Sequence, residues 1–134
     1  MKAELKTTDF DFEYTGSEYT EDGIIAKGHK QITGKILQAT IKNTTVFGEY
    51  LNGYKFVTDI YDNGTAEGIN NVGSHNFGKW IIDFEKNTLQ LEWENGWVDT
   101  ITRAYNVNGN IEFYDIGTGK WRTTFKTFEK WKEE

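Results

Sequence analysis

Apolar and polar residues alternate along most of this chain with a period of two. Tyr54, Phe56, Thr58 and Ile60 share one side of a run, and Lys55, Val57, Asp59 and Tyr61 the other. Leu89, Leu91 and Trp93 oppose Gln90, Glu92 and Glu94; Ile111 with Phe113, and Trp121 with Thr123, Phe125 and Thr127, repeat the pattern. Successive side chains of a strand point to opposite faces, so the alternation predicts half-buried β-strands. Asn-Gly stands between runs at 52–53, 63–64, 95–96 and 108–109. Both residues tolerate the positive φ that a type I′ turn requires, which makes the dipeptide a strong hairpin signal.

With further turns at 85–87 and 116–119 and a longer loop at 70–77, the pattern predicts strands at about 44–51, 54–61, 65–70, 78–83, 88–94, 97–106, 110–114 and 120–128. Before them, Phe10, Phe12 and Tyr14 alternate as a strand, 24–31 and 35–41 read as two more, and Thr20–Gly23 reads as a polar turn. No window carries a helical stripe; only the 125–134 tail suits a short helical turn. A meander exposes two edges unless it closes on itself. The expected fold class is therefore all-β: an antiparallel up-and-down meander closed into a barrel of eight to ten strands, with little or no helix. A two-sheet sandwich is the alternative. The 134 residues make a single domain, 1–134, with a core meander over 44–128 and N-terminal strands over 9–42.

Composition changes the picture in three ways. Phe, Trp and Tyr make up 16% of the chain, too much large apolar surface for a disordered segment. Cys is absent, which removes disulfides, thiolate metal sites and a thiol nucleophile. The net charge of −6 gives no footprint for nucleic acid and repels anionic lipid surfaces. No stretch approaches the ~20 apolar residues of a spanning helix, so no membrane insertion is expected. The start, MKAELK, has no apolar signal core; the compartment is periplasmic or extracellular if a signal peptide has been removed, otherwise cytoplasmic.

Asp62-Asn63-Gly64-Thr65, Gly78-Lys79-Trp80, the strand 89–93 and Asn95-Gly96-Trp97 follow one another between Asn63 and Asp115, and Gly-Lys-Trp recurs at 119–121. This half of the chain resembles small bacterial lipocalin-like, calycin-type domains, in which a D-G-T hairpin precedes a G-x-W strand. The resemblance implies a barrel with a ligand cup, and carries over only Gly78 and Trp80. It departs from true lipocalins in the place of G-x-W, which there lies on the first barrel strand.

Chemical motifs are few. There is no P-loop and no HExxH, and Gly117-Thr118-Gly119 lacks the third glycine of a dinucleotide fingerprint. Ser74 and His75 are direct neighbours without a nucleophile elbow. The two histidines, His29 and His75, lie far apart in sequence, and neither a metal nor a cofactor is expected. Polar residues on an apolar strand face say more. Trp97, Asp99, Ile101, Arg103 and Tyr105 share a face; Val98, Thr100, Thr102 and Ala104 form the other. If the aromatic face is interior, Asp99 and Arg103 point inward, roughly 13 Å apart along the strand. Each then needs a partner or a ligand. Arginine presents a planar fork for carboxylates, and the chain has only Arg103 and Arg122, the latter read as solvated beside Thr124 and Lys126. Inward charge pairs also serve as plain core networks, and the opposite face can equally be the inner one. Glu67, on the face of Ile69, is a further inward candidate.

Hairpins alternate ends, so the turns at 52, 70–77, 95 and 116–119 share one rim. The expected cup has Trp97 at that rim, the loop bearing His75 as its roof, Asp99 below, and Arg103 with Tyr105 deeper. An anionic head group enters first to meet Arg103. Trp93, with Leu89 and Leu91, is expected in the core. The leading function is binding of a small hydrophobic or aromatic, anionic molecule by a monomer or homodimer. The alternative is a barrel cyclase, isomerase or decarboxylase using His75, Asp99 and Glu67. A third class is an extracytoplasmic inhibitor or carbohydrate-binding module working through loops and exposed aromatics.

Overall fold

The computed structural model describes residues 12–17, 19–96 and 100–131. In chain order the elements are α1 (Glu21–Ala26), β1 (Gln31–Ile32), α2 (Gly34–Ile41), β2 (Thr44–Tyr50), β3 (Tyr54–Ile60), β4 (Thr65–Asn70), β5 (His75–Asp83), β6 (Thr88–Trp93), β7 (Thr102–Val107), β8 (Asn110–Asp115) and β9 (Trp121–Lys130). Strands β2 to β9 pair antiparallel in the order β7-β6-β5-β4-β3-β2-β9-β8, and a β7–β8 pairing closes the ring. The result is a closed eight-stranded barrel with one added strand: β1 pairs with β7 through Gln31 opposite Tyr105 and Ile32 opposite Ala104.

The turns show how local chemistry sets the meander. Asn52 and Gly53 have φ of 67° and 83°, and Asn108 and Gly109 have 55° and 90°, the double left-handed geometry of a type I′ hairpin. At 63–64 only Gly64 is left-handed, and the Asn63 side chain accepts instead from the Thr65 backbone N–H at 3.1 Å. The expected long loop at 70–77 is shorter. Asn70 Oδ1 accepts from the backbone N–H of Val72 at 3.1 Å and of Ser74 at 3.0 Å, the chain reverses, and β5 begins at His75.

The N-terminal third corrects the expectation of strands at 24–31 and 35–41. The stretch 35–41 lies wholly within α2, and of 24–31 the first three residues belong to α1 and only Gln31 to a strand. Thr20 caps α1 by accepting from Gly23 N–H at 3.1 Å, and Glu21 and Asp22 sit in its positive first turn. In α2, Leu37 and Ile41 lie one turn apart and are 1% and 0% exposed. The β-branched residues of this stretch favour a strand by a few tenths of a kcal/mol each. Burying Leu37 and Ile41 contributes about 1.5–3 kcal/mol apiece, and that decides the outcome.

Helix α2 joins the main core, which holds Val46, Ile60, Trp80, Leu89, Phe113 and Phe125. It packs against β2 and β5. A Cβ on Gly34 would come within 2.9 Å of Ile82 Cγ2, so glycine permits the close approach. Gly34 N–H donates to Asn87 Oδ1 at 2.8 Å, and Lys130 Nζ donates to the carbonyls of Ala39 and Lys42 at 2.6 and 2.9 Å. The start of α2 is thus tied to the β5–β6 turn and its end to the last residue of β9, and the helix fills that end of the barrel.

A second cluster lies outside the barrel wall. Ile24 of α1 packs on Tyr105, Val107, Tyr114 and Trp121, with Tyr14 and Leu51 at its margin. The strap ahead of α1 is held by Glu49, whose side chain is 0% exposed. Its carboxylate accepts from the backbone N–H of Thr15 and Gly16 at 3.0 and 2.7 Å and pairs with Lys126 at 3.1 Å. Among the described residues no helix is long and apolar enough to cross a membrane.

Candidate functional site

Alternation places Tyr50, Phe56, Leu91 and Phe125 on the inner faces of their strands. Their rings and side chains do not fill the barrel at the end away from α2. A cavity of about 540 Å³ opens there, bordered by the turns that carry Asn52, Val72 and Asn95. This volume falls within the range of small-molecule sites. Its wall is aromatic. Tyr50 and Tyr54 stack at 5.1 Å and 10°, Tyr50 lies 5.9 Å from Phe56, and Phe56 meets Phe125 edge-on at 5.7 Å. Trp93 completes the lining. It is half-buried rather than a core residue; of the expected trio only Leu89 is fully buried. Gly68 makes room opposite, since a Cβ there would stand 3.2 Å from the Trp93 ring.

The residues singled out by the strand-face argument lie elsewhere. Ala104 faces the main core, so Arg103 and Tyr105 face outward, beneath α1. Arg103 Nε and Nη2 donate to Glu21 Oε2 and Oε1 at 2.5 and 3.0 Å, and Tyr105 O–H donates to Glu21 Oε2 at 2.7 Å. The Arg103 hydrogen bond holds the Glu21 carboxyl below its ordinary value, against the opposing effect of burial. Burial, followed by the bond to Glu21, pushes the Tyr105 phenol up to about 12. Neither side chain belongs to the cup. Glu21, which falls in the supposed polar turn, is the partner that the sequence did not reveal.

His75 and Glu67 also face outward, because their inner-facing neighbours on β5 and β4 are Asn76 and Gly68. His75 Nε2 lies 2.7 Å from Glu67 Oε2, and Tyr61 O–H donates to Glu67 Oε1 at 3.3 Å. His75 is therefore part of an outer-face pair and does not roof the mouth. Ser74 borders the cavity while His75 turns away from it, so the two form no nucleophile–base pair. Trp97 and Asp99 lie outside the described residues. Among the described residues no three His, Asp or Glu side chains gather into a metal cluster.

Arg122 departs from its expected place in the opposite sense. It borders the cavity, although strict alternation put it on the solvent side. The reason is the first of two irregularities in β9. Against β8, Phe113 opposes Thr123 while Tyr114 opposes Trp121, so Arg122 is an extra residue. Against β2, Gly48 opposes Phe125 while Phe47 opposes Thr127. A bulge re-aims the side chains around it. Here Trp121 turns outward to donate to Thr124 Oγ1 at 2.8 Å, and Phe125 stays inside. Nothing in the alternation announced either bulge.

No protein-family model matches this chain, and no curated protein matches it.

Proposed function

We propose that this protein binds a small hydrophobic or aromatic molecule in the open end of its barrel, as the lipocalin-like, calycin-type resemblance of the 63–115 segment implies. The observation that carries the reading is the cavity of about 540 Å³ with Tyr50, Tyr54, Phe56, Trp93 and Phe125 in its wall. Eight-stranded barrels either fill their interior with side chains or keep room for one ligand. In this one α2 fills one end, and the other is left with exposed aromatic faces. Such faces favour flat or apolar partners, because burying them removes apolar area from water at about 25 cal/mol per Å².

Trp93 supplies an intrinsic reporter. Titration with the neutral probe N-phenyl-1-naphthylamine should change tryptophan fluorescence with a Kd in the micromolar range. Asn76, an inner-facing residue at the mouth, offers a blocking variant without a second reporter: Asn76→Phe should abolish the response while circular dichroism stays that of the wild type. Native mass spectrometry of gently purified protein should show a co-purifying mass. Wild-type protein that retains no small molecule and binds no aromatic probe would sink the reading.

A further inference from the structure

We infer that the ligand of this cup is an amphiphile with an anionic, carboxylate-like head, and that it sits with its apolar end toward the floor and its head at the mouth against Arg122. The inference rests on the binding reading above and concerns the class of ligand and its orientation.

The polarity of the cup runs with depth. Strand β9 enters the barrel from the mouth at Trp121, so Arg122 is one residue in and Phe125 about 10 Å deeper at ~3.3 Å per residue. Strand β2 reaches the mouth at Tyr50, β4 reaches it at Asn70, and β5 leaves it at His75. Polar side chains of the lining cluster on these last turns of chain. Below them stand Phe56, Ile60, Leu91 and Phe125. Of the deeper hydroxyls, Thr123 Oγ1 is committed to the Glu49 carbonyl at 2.7 Å. The other deep hydroxyl of the lining is that of Thr58, so an anion driven to that floor would exchange its whole hydration shell for a single hydroxyl donor.

At the mouth the chemistry is that of a donor. Arg122 is the one charged side chain lining the cup among the described residues. A guanidinium carries five N–H donors in a fixed fork, so it can serve a protein partner and a bidentate carboxylate together. The rim amides add to this. Asn70 spends its side-chain oxygen on the N–H groups of Val72 and Ser74, and Asn76 spends its own on Phe77 N–H at 3.0 Å. What the Asn76 amide has left is its Nδ2, while Asn70 Nδ2 donates to the Tyr50 hydroxyl at 3.4 Å and holds that hydroxyl at the rim. A rim of donors suits an acceptor-rich head and disfavours a cationic one. It does so on a protein whose net charge is −6, so the attraction is local to this rim.

The test compares two probes with the same aromatic body: neutral N-phenyl-1-naphthylamine and 1-anilinonaphthalene-8-sulfonate, which adds one anionic group. Wild-type protein should bind the sulfonate about tenfold more tightly, the worth of one charge-assisted contact. Arg122→Gln should erase that preference and leave the neutral probe within about twofold; Arg122→Lys, which keeps the charge but not the fork, should retain part of it. Thermal melts of both variants check that the barrel persists. Equal binding of the two probes by wild type, or a preference that survives Arg122→Gln, overturns the inference while the cup remains a binding site. Failure of both probes overturns the binding reading with it. Orientation is read by displacement of the neutral probe. N-decanoylglycine, whose carboxylate stands further from its alkyl chain, should compete as well as decanoate if the head is at the mouth. A loss of about tenfold would put the head at the floor.

Discussion

Arg103 and Glu21, separated by 82 residues, form a two-point ion pair across the outer wall of the barrel, with Tyr105 O–H on the same carboxylate. The pair anchors α1 to β7 and holds Ile24 over the second apolar cluster. An arginine that alternation alone assigned to a ligand is thus consumed by the fold.

The pair sets an acid limit on stability. Its hydrogen bonds keep the Glu21 carboxyl below its ordinary 4.5, so the stabilisation is present above pH 4.5 and is lost as pH falls through the lower folded value. Arg103 keeps 33% of its side chain exposed and Glu21 10%, which screens the pair. Glu21→Gln should therefore cost about 1–2 kcal/mol at pH 7, less than the 3–5 of a fully buried pair. Urea denaturation should show the gap between wild type and variant shrinking as pH falls from 5 to 3. A gap unchanged between pH 5 and pH 3 would mean that the charge of Glu21 is not what matters.

Alkali should act through Tyr105. Its phenol is raised by burial, then by the bond to Glu21, to about 12. A raised value means stability that is complete below pH 10 and declines as pH climbs from 10 through 12. Tyr105→Phe should flatten part of that decline in pH-dependent denaturation. Tyr114 is also pushed up, by burial and by its hydrogen bond to Glu112, so some decline should remain in the variant.

Core and cup should separate in mutagenesis. Phe113, fully buried and 4.5 Å from the Phe125 ring, should cost about 3–5 kcal/mol as Phe113→Ala. Trp93 lines the cavity, so Trp93→Ala should cost less than half as much while removing most of the fluorescence response to a bound probe. A larger loss for Trp93 than for Phe113 in chemical denaturation would show the cup to be part of the core.

Turn glycines test the backbone alone. A Cβ on Gly109 would meet nothing within 4 Å, yet its φ is +90°. Gly109→Ala should cost about 1–2 kcal/mol from left-handed strain. Gly48 has the opposite problem: a Cβ would lie 2.3 Å from the Thr124 carbonyl oxygen, beside the β2–β9 irregularity. Gly48→Ala should fail to give a cooperative melt. Equal melting temperatures for the two variants would contradict both statements.

The outer-face pair supplies a control for the cup. His75 pairs with Glu67 away from the cavity. His75→Ala should leave the affinity for either naphthyl probe within about twofold, since a group outside a site adds no contact to its ligand. A larger loss in the same titration would bring His75 back to the mouth.

Much of the barrel was legible before any tertiary contact was known. Period-2 alternation and the Asn-Gly turns placed all eight barrel strands, most of them within one or two residues, because both signals are local: pleat direction and left-handed φ belong to a few adjacent residues. The start of β5 at His75 was missed because an asparagine side chain, not a longer loop, closes the 70–74 turn. Other features are not local. Whether 35–41 becomes strand or helix depends on whether Leu37 and Ile41 find the open end of a barrel that other residues build. Which face of β7 is interior depends on α1 arriving to cover Tyr105 and neutralise Arg103. Arg122 reaches the mouth through a bulge that exists only because β9 pairs with β8 in a register its own alternation does not encode. The chain alone therefore determined a closed antiparallel barrel. Packing between distant segments decided which end is filled, which arginine is structural, and which one faces the cup.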